Sequence, residues 1–190
     1  MSFIAFDLEI KEHVDNVRRT WNDARLGKCG ISVVCCWDSD DQRYLFFDEH
    51  NLGDCMDYLA TADTLVGFNS LDFDLPVLQS VSGSVLPPVP HFDILQVVWQ
   101  ALGTRKKGYK LGEICQRTIG RSKLLSGDLA PDLYAEGRFA ELYSYCLHDV
   151  MLTKELFEHI IRERSIIDVN GNPLEVLNLV SVETWQSAGE

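Results

Sequence analysis

Phe3-Ile4-Ala5-Phe6-Asp7-Leu8-Glu9 opens the chain as an apolar run with two carboxylates set into it. Side chains of a β-strand alternate between faces and rise about 3.3 Å per residue, so Asp7 and Glu9 share a face roughly 6–7 Å apart. Burying two charges on one face costs free energy unless a cation joins them, and two hard oxygen ligands at this separation suit a divalent metal. Taken alone, the pair is better explained by a strand that ends at Asp7 and a solvated loop that begins at Glu9. What decides between these readings lies further along the chain.

Following this strand, the charged stretch from Lys11 to Lys28 reads as loop and a short helix. Ile31-Ser32-Val33-Val34-Cys35-Cys36-Trp37 and Arg43-Tyr44-Leu45-Phe46-Phe47 are rich in β-formers and flank a polar turn at 38–42, so the opening predicts an antiparallel meander. Asn51 is placed to cap a helix running to about Thr61, with Leu52, Cys55, Met56 and Leu59 at helical spacing. Thr64 to Phe68 reads as a strand, and a helix from about Asp72 follows with Pro76 in its first turn. The proline-rich segment 80–90 is a loop. Phe92 to Leu95 is a short strand entering a helix that ends near Gly103, and a helix over 109–119 is closed by Gly120. The segment from Gly127 to Pro131 reads as loop, 139–164 is the longest helical pattern, and 165–180 reads as two strands around Asn170-Gly171. The order predicts an α/β fold built on a mixed sheet flanked by helices.

With 190 residues and 46% apolar content, the chain suits one soluble domain over 1–190, with a core over about 2–162 and the C-terminal hairpin as an extension. No apolar run approaches a membrane span, and the N-terminus lacks the charged start and cleavage site of an export signal. Six cysteines without a C-x-x-C pair predict free buried thiols, and with them a reducing, cytoplasmic setting. The formal charge of −12 is unevenly placed. Arg105, Lys106, Lys107, Lys110, Arg117, Arg121 and Lys123 stand against Glu113 alone, a local balance of +6, while the remainder carries −18. Screening over about 8 Å lets a polyanion meeting that segment feel the local sign, although a solvated helix face would have the same composition.

Carboxylates recur in two further places. Asp72 and Asp74 lie where a strand, a turn and a helix meet, and capping by one of them, worth about 1 kcal/mol, leaves the other unexplained. In the long helix Tyr145 and Asp149 are four apart and share a face, with His148 turned about 100° away. Aspartate is a poor residue in a helix interior, so Asp149 needs a partner, either a basic side chain or a metal.

Together these segments resemble the three motifs of the DnaQ-like 3′-5′ exonucleases of the ribonuclease H-like superfamily. Phe6-Asp7-Leu8-Glu9 matches the first motif, Asn69 with Phe73-Asp74 the second, and Tyr145 with Asp149 the third, in the family's order. Tyr145 assigns the tyrosine (DEDDy) subgroup. Gly67-Phe68-Asn69 onward and Tyr145-Cys146-Leu147-His148-Asp149 look especially similar to proofreading domains of family B DNA polymerases, and Phe92-Asp93 and the Lys110-Leu111-Gly112 helix resemble elements between the second and third motifs. The likeness covers roughly residues 2–160, as in a stand-alone member.

The resemblance implies a ribonuclease H-like fold with a five-stranded mixed sheet, and hydrolysis at the 3′ end of single-stranded DNA or RNA, with release of 5′-mononucleotides and DNA favoured. It implies two divalent ions, Mg²⁺ or Mn²⁺, held by Asp7, Glu9, Asp74 and Asp149, with Asp7 bridging, Glu9 and Asp149 completing the first and Asp74 supporting the second. It also implies that Tyr145 orients the attacking water, since a phenol with an ordinary pKa near 10 is a poor base at neutral pH. Asn69 and Phe73 are implied to hold the terminal nucleotides, and Lys106, Lys107, Lys110 and Arg117 are the candidates for phosphate contact. Ile10 departs from the family, which often has Thr, Ser or Cys after the motif glutamate. A non-catalytic nucleic-acid-binding or assembly module on the same fold is the alternative, and retention of all four carboxylates and the tyrosine speaks against it. A phosphatase with an aspartate nucleophile would want Asp where Glu9 stands. Protein partners and oligomeric state are not legible in the sequence.

Overall fold

A computed structural model describes residues 2–15, 17–123 and 129–177. Its centre is a five-stranded sheet in the order β3-β2-β1-β4-β5, from β1 (Ile4–Ile10), β2 (Ile31–Asp38), β3 (Arg43–Phe47), β4 (Leu65–Gly67) and β5 (His91–Asp93). Pairing is antiparallel across β1, β2 and β3 and parallel across β1, β4 and β5. The expected mixed sheet with helices on both sides is therefore what forms.

Strand periodicity explains how each face is filled. Ile4, Phe6 and Leu8 pack with Val34, Cys36 and residues of α2 (Leu52–Leu59) and α3 (Asp74–Ser82). Phe3 and Ala5 join Val33, Cys35 and Trp37 on the other side, under α5 (Leu111–Thr118) and α7 (Phe139–Glu163). Each fully buried large side chain of these layers contributes about 1.5–3 kcal/mol relative to exposure. Register continues the second face into Asp7, opposite Cys35, and Glu9, opposite Val33; the ladder shifts between Glu9 and Ile10. The core therefore runs straight into two carboxylates beneath α7.

The remaining helices are α1 (Trp21–Arg25), α4 (Ile94–Leu102) and α6 (Ala130–Ala135). The last of these was not expected: Pro131, assigned to a loop, sits in its first turn, where a missing N–H costs nothing. Helix α3 begins at Asp74 rather than Asp72, and Asp72 does not cap it; its carboxylate accepts from Arg105 Nη2 at 2.9 Å. Asn51 stands at the start of α2, but its side chain turns back to accept from Asp48 N and makes no cap hydrogen bond. At the C-terminal side, β6 (Ser165–Ile167) and β7 (Pro173–Glu175) form the expected hairpin, joined through 168–172 with Gly171 at φ 82°. Residues 178–180 of its expected span lie outside the described residues. All six cysteines are free and buried, as their spacing predicts. Among the described residues no helix is long and apolar enough to cross a membrane.

Candidate active site

Strands β1, β4 and β5 all end at one edge of the sheet, the usual place for a site in a parallel α/β arrangement. At this edge β1 presents Asp7 and Glu9, both partly buried. Leaving β4, the chain turns through Phe68-Asn69-Ser70 and enters α3 at Asp74, whose Oδ1 accepts from Leu8 N at 3.2 Å. Asp74 is thereby tied to the backbone between Asp7 and Glu9. Helix α7 crosses above and brings Asp149 and Tyr145 down on the face it turns toward β1.

The electrostatics reflect this convergence. Burial holds the Asp7 carboxyl well above the usual carboxylate range, and Asp74, Glu9 and Asp149 push it further in that direction. Burial raises Asp74 to about 7 against the pull of its backbone hydrogen bonds, with Asp93 and Asp149 adding to the rise. Asp149, 5% exposed, is also raised by burial, an effect that Lys123 offsets only in part. Cys146, fully buried one helical residue from Tyr145, donates its thiol to Asp7 O at 3.5 Å, and burial pushes its own titration far up. It stays a neutral thiol beside the carboxylates.

Lys123 was counted above only as part of a basic segment. Its Nζ makes an ion pair with Asp149 Oδ2 and lies 5.7 Å from the centre of the Tyr145 ring. Burial alone would lower its pKa, yet Asp149, Asp7 and Glu9 raise it, so the ammonium is held by the cluster. Lys123 and Asp149 are 26 apart in sequence, which leaves no spacing signal to find the pair by.

Asp93 also has a role beyond its place in a strand. It caps α4 by accepting from Leu95 N and Gln96 N at 3.0 and 3.2 Å, and it accepts from Asn69 N and Leu71 N at 3.0 and 2.9 Å. Four backbone donors on one buried carboxylate fix the turn in which Asn69 takes a left-handed φ of 63°. Gly67 makes that turn possible, since a Cβ there would come within 2.1 Å of Ser70 Oγ. Asp93→Ala strips the cap and strands buried donors, so a loss of about 2–4 kcal/mol of stability is expected from urea unfolding.

Beside the carboxylates opens a cleft lined by Leu8, Glu9, Ile10, Trp21, Phe73 and Tyr145. Phe73, expected near a terminal nucleotide, and Glu9 and Tyr145, expected at the chemistry, thus border one space. Asn69 is partly buried in the turn ahead of Phe73. Lys106, Lys107 and Lys110 are exposed between α4 and α5. Arg117 is occupied differently: its guanidinium donates to Gly108 O at 2.7 Å and Ile167 O at 3.4 Å over the Tyr109 ring, so it ties the hairpin to the domain. Of the four basic candidates it is the one whose donors turn to protein carbonyls.

The donor set fits a hard divalent cation. Ligand atoms of Asp7, Glu9 and Cys146 lie within 4.8 Å of one another, and Asp74 and Asp149 are close enough to raise the Asp7 carboxyl. Oxygen-rich ligands of this kind favour Mg²⁺ or Mn²⁺ over softer metals.

A profile of the RNase_H superfamily matches residues 28–161, a span that holds Asp74, Tyr145 and Asp149 and follows the strand of Asp7 and Glu9. No curated protein matches the chain. Among solved structures it is similar to the family B DNA polymerase from the hyperthermophilic archaeon Pyrobaculum calidifontis, with a TM-score of 0.62 over 85% of this chain and 17% identity. The chain spans 24% of that polymerase's length, and at this identity the likeness is one of fold. A profile match over most of the chain, on a sheet of the order described, leads to one assignment: the chain belongs to the RNase H superfamily.

Proposed function

We propose that the protein is a metal-dependent 3′-5′ exonuclease that hydrolyses the terminal phosphodiester of single-stranded nucleic acid, DNA in preference to RNA, and releases 5′-mononucleotides. The observation that carries this reading is the convergence of Asp7, Glu9, Asp74 and Asp149 from three segments, close enough to hold one another's protons, beside a cleft that Glu9, Tyr145 and Phe73 line. Two divalent ions held there would supply Lewis-acid stabilisation to the attacking and leaving oxygens of an in-line displacement.

The chain's own groups do the rest. Asp7, Glu9 and Asp149 would hold one ion and Asp7 with Asp74, anchored through Leu8 N, the other. Tyr145 directs its hydroxyl at the attacking water and positions it without taking its proton. Phe73 and Asn69 hold the end of the strand, and Lys106, Lys107 and Lys110 meet phosphates further along, a contribution that weakens with salt.

A 5′-labelled linear single strand, the same strand with a blocked 3′ end and a circular single strand test this directly. With Mn²⁺ the linear strand should shorten from its 3′ end, while EDTA, the block and circularity each prevent cleavage. Cutting of the circle, shortening from the 5′ end, or binding without shortening would refute the assignment, and the last result would favour a non-catalytic binding module.

A further inference from the structure

We infer that Trp21, carried on the insertion between β1 and β2, is the stacking platform for the base of the 3′-terminal nucleotide, and that this makes the cleft selective for an unpaired end that still bears its base. The inference rests on the exonuclease reading for what enters the cleft, and on the structure for the wall that receives it.

Trp21 is 48% exposed, which leaves about half of the indole surface open to a ligand. It stands edge to face with Phe73, ring centres 5.5 Å apart at 76°, and both rings border the same space as Glu9 and Tyr145. A planar group entering that space meets the indole as well as the Phe73 ring. Indole is well suited to a nucleobase, because every base has a π-face and stacking tolerates any sequence.

The alternative for an exposed tryptophan beside a phenylalanine is a bolt holding a short helix in place. Here α1 has other bolts. Thr20 and Asp23 form a reciprocal cap, Arg25 Nε donates to Asp72 O at 2.5 Å, Ser80 Oγ donates to Arg25 O at 2.9 Å, and Gly27 packs against Val81 so closely that an added Cβ would lie 3.1 Å from it. His13 pairs with Asp132 at 2.8 Å and closes the rim toward α6. The insertion is anchored without the indole, which leaves Trp21 for the cleft. The Ile10 side chain, which lines the same cleft, offers no hydrogen bond to a sugar.

The test measures equilibrium binding of short oligothymidylates ending in a normal or an abasic 3′ nucleotide, at low salt with Ca²⁺ in place of Mg²⁺. Wild type should favour the base-bearing end by on the order of tenfold, Trp21→Phe should keep most of that preference, and Trp21→Ala should bring the ratio near one. Thermal midpoints of the three proteins accompany the titrations. A wild-type ratio near one overturns the inference, as does a Trp21→Ala protein that keeps the wild-type ratio, whether its thermal midpoint falls or not. Shortening of the strand in Mg²⁺ is scored separately and bears on the exonuclease reading alone, so a preference for the base without shortening leaves Trp21 standing and removes the reaction.

Discussion

Asp7→Asn should abolish turnover and at the same time make the metal-free protein more stable at neutral pH. Asp7 has three like-charged neighbours, Asp74, Glu9 and Asp149, and it sits at the end of the buried face of β1. Asparagine keeps its shape and still accepts from a neighbouring donor, so the change removes charge with little disturbance of packing. On the proposed mechanism the charge is what holds the cations. A single preorganised electrostatic contact is worth roughly 10²–10³ in rate, and Asp7 serves both metal positions, so a fall of at least about 10³-fold is expected.

The stability gain follows from the direction of the shift. Because the folded-state pKa of Asp7 is raised, the folded protein holds its proton more tightly than the unfolded chain does, and stability falls as pH rises through that range. Below the unfolded value near 4 both states are protonated and nothing is lost. The variant should therefore match wild type near pH 4 and exceed it by about 1–3 kcal/mol at pH 7.5 in EDTA, read from denaturant unfolding. Saturating Mn²⁺ should erase or reverse the order, since binding to the native state stabilises wild type selectively. A variant that keeps turnover, or that is less stable than wild type in EDTA at pH 7.5, would sink the assignment of Asp7. Asp74, raised to about 7, predicts that residual pH dependence survives in the variant.

Much of this arrangement can be read from local pattern. Alternation in 3–9 places Asp7 and Glu9 on one face because a strand has an exact period of two, and four-residue spacing places Tyr145 and Asp149 together on a helix. The choice between Asp72 and Asp74 is not decided by propensity, since both suit a helix start; tertiary contacts decide it, through Leu8 N for Asp74 and Arg105 for Asp72. Helix α6 escapes notice because a proline near Gly127 reads as loop, although a first-turn proline suits a helix equally well. Trp21 lies in a charged stretch without periodicity, and Arg117 belongs to a basic run whose inward member only the hairpin's carbonyls reveal. Side chains that act across long sequence separations, Lys123 above all, leave no local trace.

Lys123→Met should destabilise the metal-free protein and tighten its hold on Mn²⁺. The ammonium pairs with Asp149 and draws down the Asp7 carboxyl, and its stem packs against Gly112, where an added Cβ would meet Lys123 Cγ at 3.0 Å. Methionine preserves the stem and removes the charge. Breaking a fully buried pair costs about 3–5 kcal/mol, but the Lys123 side chain keeps 30% exposure and water screens part of the field, so about 1–3 kcal/mol is expected at pH 7.5 in EDTA. The raised pKa of Lys123 means that its contribution is complete at neutral pH and is lost only in strong alkali. On the acid side the difference should fade toward pH 4, because the carboxylates it faces are then protonated. Mn²⁺ and the ammonium compete for Asp149, so removing one favours the other. Each 1.4 kcal/mol relieved tightens the metal about tenfold, and calorimetric titration should show a ten- to hundredfold lower Kd in the variant. The stability gap seen in EDTA should then close in saturating Mn²⁺. A weaker Kd in Lys123→Met would mean that the ammonium supports the loaded site instead of standing in for its cation.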